Sequence, residues 1–251
     1  MHADLQLALE LADLADAIAL PRFRADDLRV DTKPDLTPVT DVDRSVERAL
    51  RARLAEARPE DAVLGEEEGA SGSEPQGPPR RWVLDPIDGT RNYARGIPVW
   101  FTLVALEEDG RVETGVASAP ALGRRWWARR GEGAFANGEP IRVSAVARVE
   151  KAVVSYAASS RPYVEPILRR AWHPQPFSDA WAHLLVAEGA VDASVEHALA
   201  PWDIAALVPI VEEAGGRCTD LAGVTRIDGG TLLTTNGLLH EELLAELGVG
   251  S

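Results

Sequence analysis

A chain of 251 residues with 45% hydrophobic residues can bury one large core or two small ones, and we expect a single globular domain over 1–251. No apolar run reaches the ~20 residues of a membrane span, and the acidic N-terminal segment lacks the basic start of a signal peptide. The net charge of −14, from 40 acidic against 26 basic residues, argues against nucleic acid as a main partner.

The cysteine content bears on the compartment. The sequence contains one cysteine, Cys218, so an internal disulfide is excluded. A chain without disulfides suits a reducing environment, and we expect a cytoplasmic protein with neither a membrane nor a nucleic acid as partner.

The N-terminal segment predicts two helices. Residues 4–20 carry apolar side chains at helical spacing, and Pro21 is expected to end that helix. Thr40 and Asp43, three residues apart, form a capping box that predicts the start of a second helix. Further on, the Gly, Ser and Pro residues of 69–80 predict a mobile connector.

The remaining elements fall into two groups. Between residues 99 and 143, strands and turns alternate as in an antiparallel meander. The second half interleaves both element types, with strands at 152–156, 191–195 and 231–235 and helices at 163–171, 179–188, 203–214 and 238–247. This order predicts an α/β (α+β) fold of two sheets layered with helices, one formed by about 1–145 and the other by about 146–251.

The stretch Trp82–Thr90 reads Trp-Val-Leu-Asp-Pro-Ile-Asp-Gly-Thr and predicts a buried strand that ends in two carboxylates, Asp85 and Asp88. Carboxylates this close repel each other unless a cation lies between them, and Mg²⁺ with its preference for oxygen ligands suits the position. Gly89 and Thr90 open a helix whose backbone N–H groups suit a phosphate. For this stretch alone, an Asx turn followed by a helix cap is the alternative.

Two further acidic stretches favour the metal-site interpretation. Val63–Glu67 is a second apolar run that ends in carboxylates, and Ala200–Asp203 places an acid just ahead of an apolar helix. Together with Trp82–Thr90, these stretches resemble the motifs of the inositol monophosphatase family. Trp202–Ala206, continuing to Glu213–Gly216, resembles the second motif of that family.

Within the family, the chain resembles the bacterial histidinol-phosphate phosphatases most, over residues 33–41, 119–127 and 185–192. The resemblance implies an αβαβα sandwich, a homodimer, and a Mg²⁺-dependent phosphomonoesterase that acts on a small phosphorylated substrate. Histidinol phosphate is the expected substrate, and inositol 1-phosphate is the alternative. A catalytically inactive relative kept as a binding protein is the third hypothesis, which the loss of a metal-binding acid would indicate.

The resemblance also implies a set of metal ligands. Glu66, Asp85 and the carbonyl oxygen of Ile87 would hold one Mg²⁺. Asp85, Asp88 and Asp203 would hold a second, with Asp85 bridging the two. A third, weaker ion would depend on Glu66, which gives two to three ions per site.

For the attacking water, the family implies that Thr90 orients it together with Asp41, while Glu66 helps to polarise it. Thr90 has a helix N-cap as its other interpretation, and both roles are compatible. Asp88, Gly89, Thr90 and Asp203 are expected beside the phosphate.

Asp179 and Glu196 are the candidates for contacting the leaving group. The family places substrate contacts near both positions, although a simple N-cap is an equally good interpretation of Asp179, and Ser178 replaces a glycine common in related sequences. Histidinol carries an amine and an imidazole, so two acids would favour it over neutral inositol. His183 is expected to be a hydrogen-bonded (satisfied) or pocket-edge histidine.

Overall fold

The computed structural model describes residues 2–34, 36–72 and 79–247. Within these ranges, no helix has the length and apolar character needed to cross a membrane. The α-helices are α1 (Ala3–Arg22), α2 (Asp41–Ala57), α3 (Thr90–Ala94), α4 (Arg161–Arg170), α5 (Asp179–Ala187), α6 (Pro201–Ala205), α7 (Leu207–Glu213) and α8 (His240–Glu246).

The strands of the first half are β1 (Val30–Thr32), β2 (Pro38–Thr40), β3 (Ala62–Gly65), β4 (Gly69–Ser71), β5 (Arg80–Asp88), β6 (Phe101–Glu108), β7 (Arg111–Ala119), β8 (Arg124–Arg129), β9 (Ala134–Ala136) and β10 (Glu139–Pro140). Those of the second half are β11 (Val153–Tyr156), β12 (His173–Gln175), β13 (Ala193–His197), β14 (Arg217–Thr219) and β15 (Thr231–Thr235).

Two sheets form the framework. The larger has the order β10-β9-β8-β7-β6-β5-β3-β4, and the smaller has the order β12-β11-β13-β15-β14. The larger sheet is antiparallel from β5 to β10, as a meander requires, whereas β3 runs parallel to β5. The smaller sheet is mixed, with β11 parallel to β12 and β13.

Three hydrophobic cores hold helices and sheets together in five layers. One core joins α1 and α2 to the outer face of the larger sheet. The second joins the inner face of that sheet to α5, α6 and α7, which also contact β14 and β15. The third packs α4 and α8 on the far face of the smaller sheet. This arrangement confirms the αβαβα sandwich.

Several element boundaries differ from the sequence predictions. Pro21 lies inside α1, which continues to Arg22, because a proline in the last turn removes a single backbone donor. The helix predicted at 203–214 is two helices, α6 and α7, and Pro209 falls in the first turn of α7, where its missing N–H is tolerated. Strands β4, β12 and β14 were not predicted. The first three residues of the connector predicted at 69–80 form β4, and residues 73–78 lie outside the described residues.

The strands of the larger sheet bring the predicted acidic stretches together. Because β3 pairs in parallel with β5, Gly65 lies opposite Leu84, and both strands end at the same edge. The amide N–H of Glu66 then donates to the carbonyl of Leu84, at 3.3 Å. The pairing of β5 with β6 is irregular between Asp85 and Asp88, so the end of β5 bends away from a regular ladder.

Position 65 leaves no free space for a side chain. A Cβ built on Gly65 would lie 2.2 Å from the side-chain oxygen Oε1 of Glu47 and 2.8 Å from a guanidinium nitrogen of Arg51. Glu47 is fully buried and accepts hydrogen bonds from the backbone N–H groups of Glu67, at 2.7 Å, and Glu68, at 3.0 Å. The close approach of α2 to this turn therefore fixes the backbone that carries Glu66.

We expect Gly65→Ala to lower the free energy of unfolding by about 1–3 kcal/mol, because the added methyl group must displace buried Glu47. Chemical denaturation measures this change. Ala70→Ser, at an exposed position of the neighbouring strand β4, is the control and should stay within about 0.5 kcal/mol of the wild type. A Gly65→Ala protein as stable as the control would contradict the prediction.

Candidate active site

Three carboxylates from two parts of the chain converge at the end of β5. Asp85, Asp88 and Asp203 each place an oxygen within 4.8 Å of the others. Asp85 and Asp88 belong to β5, whereas Asp203 lies in the first turn of α6, where its side chain accepts a hydrogen bond from the amide of Ala200 at 2.7 Å. The capping interaction orients Asp203 toward the two aspartates.

Burial and mutual repulsion raise the pKa of each of these carboxyls. For Asp85, burial is the main cause, followed by the charges of Glu66, Asp88 and Asp203. Burial likewise raises the pKa of Asp88 well above its ordinary value. The pKa of Asp203 rises to about 7, again through burial first, although the Ala200 amide opposes the shift. In the metal-free site, the ionised forms of these three carboxyls are therefore disfavoured relative to the protonated forms.

The donor set fits a hard divalent cation. Asp85 is 1% exposed, and its Oδ1 atom has no hydrogen-bond partner among the described residues. A buried carboxylate oxygen without a partner is unfavourable unless a cation or a proton completes its environment. Oxygen donors alone, clustered within a few ångström, match the preference of Mg²⁺ rather than that of softer metals.

Glu66 lies at the edge of this cluster and contacts a lysine. The Lys33 ammonium group lies 2.7 Å from a carboxylate oxygen of Glu66 and 2.7 Å from one of Glu67. Burial raises the pKa of Glu66, and the hydrogen bond and charge of Lys33 oppose that rise. Lys33 thus supplies a positive charge beside the carboxylates, a role that its sequence position alone did not indicate.

The structure corrects one predicted site residue. Thr90 places its hydroxyl oxygen 3.0 Å from Asp43 Oδ1, not beside Asp41. Asp41 instead lies at the half-exposed start of α2, where it pairs with Arg22 at 3.4 Å and accepts from the amide of Arg29 at 3.2 Å. The reason is helical geometry: residues two apart in a helix point to different faces.

Asp43 is the buried member of the predicted capping box. Its Oδ2 atom accepts the amide N–H of Thr40 at 2.9 Å, which leaves Oδ1 facing Thr90. Burial raises the pKa of Asp43, and the hydrogen bonds from Thr40 oppose this rise. The Thr90 hydroxyl is also 2.9 Å from the carbonyl oxygen of Ile87, so its single proton is shared between two acceptors.

Gly89 connects the end of β5 to the short helix α3. Its φ of 81° lies in the left-handed region that favours glycine. A Cβ at this position would lie 3.2 Å from the carbonyl oxygen of Val99 and 3.6 Å from Asp179 Oδ2. The absence of a side chain keeps the turn open toward Asp179 and the carboxylate cluster.

Asp179 lies opposite this turn and is not an N-cap, because Ser178 occupies that position. Its φ of 59° is left-handed, and its carboxylate accepts a hydrogen bond from the Asn92 amide at 3.2 Å. Asp88 Oδ2 accepts the amide N–H of Ala180 at 2.8 Å, so the first turn of α5 is tied to the metal-site strand. The pKa of Asp179 rises to about 6 through burial first and then through the charge of Glu196.

A cavity of about 180 Å³ opens beside the carboxylate cluster. Asp88, Asp179, His183, Glu196 and Asp203 line it. The site thus brings together residues predicted for the metal and residues predicted for the leaving group. His183 belongs to the lining, as expected for a histidine at the pocket edge.

A larger cavity of about 370 Å³ lies elsewhere and does not form an anion site. Three of its four arginines are closely paired with carboxylates: Arg81 with Glu107 at 2.5 Å, and Arg226 with buried Asp220 at 2.6 Å. A third, Arg130, pairs with a glutamate in the same way. The fourth, Arg111, lies 3.9 Å from Glu113, so each of these positive charges has a carboxylate neighbour before any ligand arrives.

The family profile that matches this chain, over residues 2–248, is that of the inositol monophosphatase family. The chain belongs to the inositol monophosphatase family. The match covers nearly the whole chain and confirms the family expected from the three acidic motifs.

Relatives in this family include histidinol-phosphatases. The chain is 50% identical to a histidinol-phosphatase from Mycobacterium tuberculosis over 99% of both chains. It is 45% identical to one from Streptomyces coelicolor over 97% of this chain and 96% of the relative. The structure of an inositol monophosphatase from Zymomonas mobilis superposes with a TM-score of 0.85 at 34% identity, covering 98% of this chain and 99% of that one. These matches confirm the expected similarity to the histidinol-phosphatase branch and agree with the expected enzyme class, phosphoric monoester hydrolase.

The raised pKa values predict how a divalent cation stabilises this family member. Asp203, with an ordinary pKa of 3.8 and a folded pKa of about 7, favours the folded state below pH 3.8, and this contribution is lost as the pH rises toward 7. We therefore expect metal-free protein to lose stability from this site between pH 5.5 and pH 8. Millimolar Mg²⁺ should raise Tm more at pH 8, where the acids need not release protons on binding.

Thermal melts in EDTA and in Mg²⁺ at both pH values measure this effect. In Asp203→Asn the Mg²⁺-dependent increase in Tm should shrink at pH 8, because one charged ligand is missing. Equal increases at the two pH values, or none at either, would argue against a cation bound to these carboxylates.

Proposed function

We propose that this chain hydrolyses a small phosphate monoester in a Mg²⁺-dependent reaction, and that its substrate is histidinol phosphate. One observation carries the choice of substrate: Asp179 and Glu196 line the cavity beside the carboxylate cluster, and the charge of Glu196 raises the pKa of Asp179. Two acids that repel each other next to a phosphate site favour a leaving group with a positive charge. The 50% identity to a histidinol-phosphatase supports the same choice.

Glu66, Asp85, Asp88, Asp203 and the carbonyl oxygen of Ile87 would hold two to three Mg²⁺ ions. Bound there, magnesium neutralises phosphate charge and supplies Lewis acidity at the attacking and leaving oxygens. The protein contributes the placement of the carboxylate oxygens that would bind the ions. The irregular end of β5 and the capped first turn of α6 fix their positions.

The chain's own residues orient the attacking water. We assign this role to the Thr90 hydroxyl, with Asp43 in place of the expected Asp41 as its partner. Asp43 is buried and held by the Thr40 amide, so its free oxygen has a fixed direction toward Thr90. With Thr90 donating to Asp43, the hydroxyl oxygen keeps a lone pair that can accept a proton of the water. Glu66 assists from the edge of the cluster.

The phosphate would lie at the turn after β5, near Asp88, Gly89, Thr90 and Asp203. The missing side chain at Gly89 keeps the backbone accessible there. Helix α3 has only five residues, so its dipole adds little, and positioning dominates. The leaving group would then extend toward Asp179 and Glu196.

Inositol 1-phosphate is the alternative substrate, because it would use the same metal site and phosphate turn. A neutral inositol would leave two carboxylates in the cavity without a positive partner, an arrangement that disfavours it. The third hypothesis, an inactive binding relative, would require a missing metal ligand, whereas every expected acid occurs in the sequence.

The setting of the reaction also belongs to the proposal. The homodimer stays a prediction. The cytoplasm stays the expected compartment, in agreement with a single buried cysteine, Cys218.

The assignment of Asp43 is tested by a matched pair of variants. Asp43→Asn should lower kcat at least about a hundredfold, because it weakens the acceptor that orients Thr90 and the water. Asp41→Asn, two residues earlier in the same helix, should stay within about twofold of the wild type, because the half-exposed Asp41 side chain pairs with Arg22 and does not contact Thr90 among the described residues. Phosphate release in saturating Mg²⁺ is the measurement, and melting curves verify that both variants are folded. Equal rates for the two variants would reject the assignment.

The substrate is tested by phosphate release from histidinol phosphate, inositol 1-phosphate, fructose 1,6-bisphosphate and a 3′-phosphorylated adenosine, with Asp88→Asn as the inactive control. Glu196→Gln keeps the side-chain size and removes the charge. A charge-assisted hydrogen bond contributes roughly 1.5–3 kcal/mol, so kcat/KM for histidinol phosphate should fall by about one to two decades. The decrease in kcat/KM for inositol 1-phosphate should be much smaller. Equal decreases for the two substrates would show that Glu196 does not discriminate leaving groups by their charge.

A further inference from the structure

A buried histidine contacts the carboxylate that faces the leaving group. His183, on α5, is 1% exposed, and its Nε2 atom lies 3.2 Å from Glu196 Oε2 on β13. Its Nδ1 atom lies 2.8 Å from the hydroxyl oxygen of Thr234 on β15. Both ring nitrogens therefore have partners, and the imidazole bridges two neighbouring strands of the smaller sheet.

The chemistry of the two partners places a proton on Nε2 and permits a neutral ring. An ionised carboxylate only accepts hydrogen bonds, so the nitrogen facing Glu196 must carry a proton. A threonine hydroxyl can donate, so it can satisfy Nδ1 as an acceptor, and the ring can then stay neutral. A neutral Nε2–H ring holds Glu196 without cancelling its negative charge, whereas an imidazolium would cancel it.

We propose that His183 is a positioning residue for substrate selection. Through Nε2–H it fixes one carboxylate oxygen of Glu196, so that the other oxygen and the full negative charge are directed at a cationic leaving group. Thr234 fixes the ring in turn by donating to Nδ1. This inference rests on the proposed function, since it explains how the acid assigned to the leaving group is oriented.

The chain contains a matched control for a purely structural role. His240 is also fully buried, and it too bridges two strands of the smaller sheet, but through two threonines, with Nε2 2.9 Å from Thr219 Oγ1 and Nδ1 3.0 Å from Thr235 Oγ1. Its ring contacts no carboxylate through these bonds. If His183 only linked strands of the smaller sheet, substituting it should affect substrate preference no more than substituting His240.

Two variants of His183 distinguish the role of Nε2 from that of Nδ1. In His183→Gln, the side-chain amide can reach the position of Nε2 and donate to Glu196. In His183→Asn, the shorter amide occupies the position of Nδ1 and loses the bond to Glu196. His240→Gln and His240→Asn are the corresponding controls.

Steady-state kinetics on histidinol phosphate and inositol 1-phosphate provide the first measurement. For His183→Asn we expect the ratio of kcat/KM for histidinol phosphate over inositol 1-phosphate to fall about tenfold, mostly through a higher KM for histidinol phosphate. His183→Gln should recover most of this ratio, and neither His240 variant should change it. A ratio that falls equally in the His183 and His240 variants, or that His183→Gln fails to recover, would overturn the proposal.

Nitrogen-15 NMR of the histidine rings provides a readout that does not depend on turnover. The wild type should show a neutral His183 with its proton on Nε2, and Glu196→Gln should shift the Nε2–H resonance because the charged acceptor is gone. An imidazolium, a proton on Nδ1 alone, or a resonance unaffected by Glu196→Gln would overturn the positioning role. A wild type that does not prefer histidinol phosphate would reject the proposed substrate instead, and the NMR result would still decide whether His183 holds Glu196.

Discussion

The repulsion among buried carboxylates is the constraint on which this site depends. Asp85, Asp88 and Asp203 lie within 4.8 Å of one another, and burial raises the pKa of each. Burying like charges is unfavourable unless a cation compensates them. The favourable packing of the fold must therefore offset the repulsion among the acids. A bound divalent cation would remove that repulsion and so stabilise the folded state. Lys33, placed between Glu66 and Glu67, relieves part of the same repulsion at the edge of the cluster.

The layered fold explains how so unfavourable a cluster is assembled. The larger sheet contributes the end of β5, and the helical layer between the sheets contributes α5 and α6. One hydrogen bond ties the larger sheet to the helical layer, because Asp88 on β5 accepts the amide N–H of Ala180 on α5. A second, within the first turn of α6, fixes the direction of Asp203, which accepts the amide N–H of Ala200. The smaller sheet adds Glu196, so the leaving-group acids come from the second half of the chain while most metal-site acids come from the first.

Much of the architecture was predictable because it follows from local patterns. Hydrophobic periodicity located α1, a capping box located the start of α2, alternating strands and turns located the meander, and the order of elements predicted the two sheets. The predictions failed where local rules have exceptions. Pro21 is tolerated in the last turn of α1, and Pro209 starts a new helix rather than continuing one. The three-residue strands β12 and β14 carry too little pattern to be recognised without their sheet partners.

For the site, the sequence by itself determined the chemistry: carboxylates at the ends of apolar runs, Gly89 at the turn, and the motifs that mark the family. Only the tertiary structure decided which neighbours these groups have. It chose Asp43 over Asp41 because the phase of α2 turns one side chain toward Thr90 and the other toward solvent. It brought His183 to Glu196 because α5 packs on β13, a contact that no local pattern encodes. Local sequence fixes the conformation and charge of a segment, whereas partners distant in the chain are fixed by packing alone.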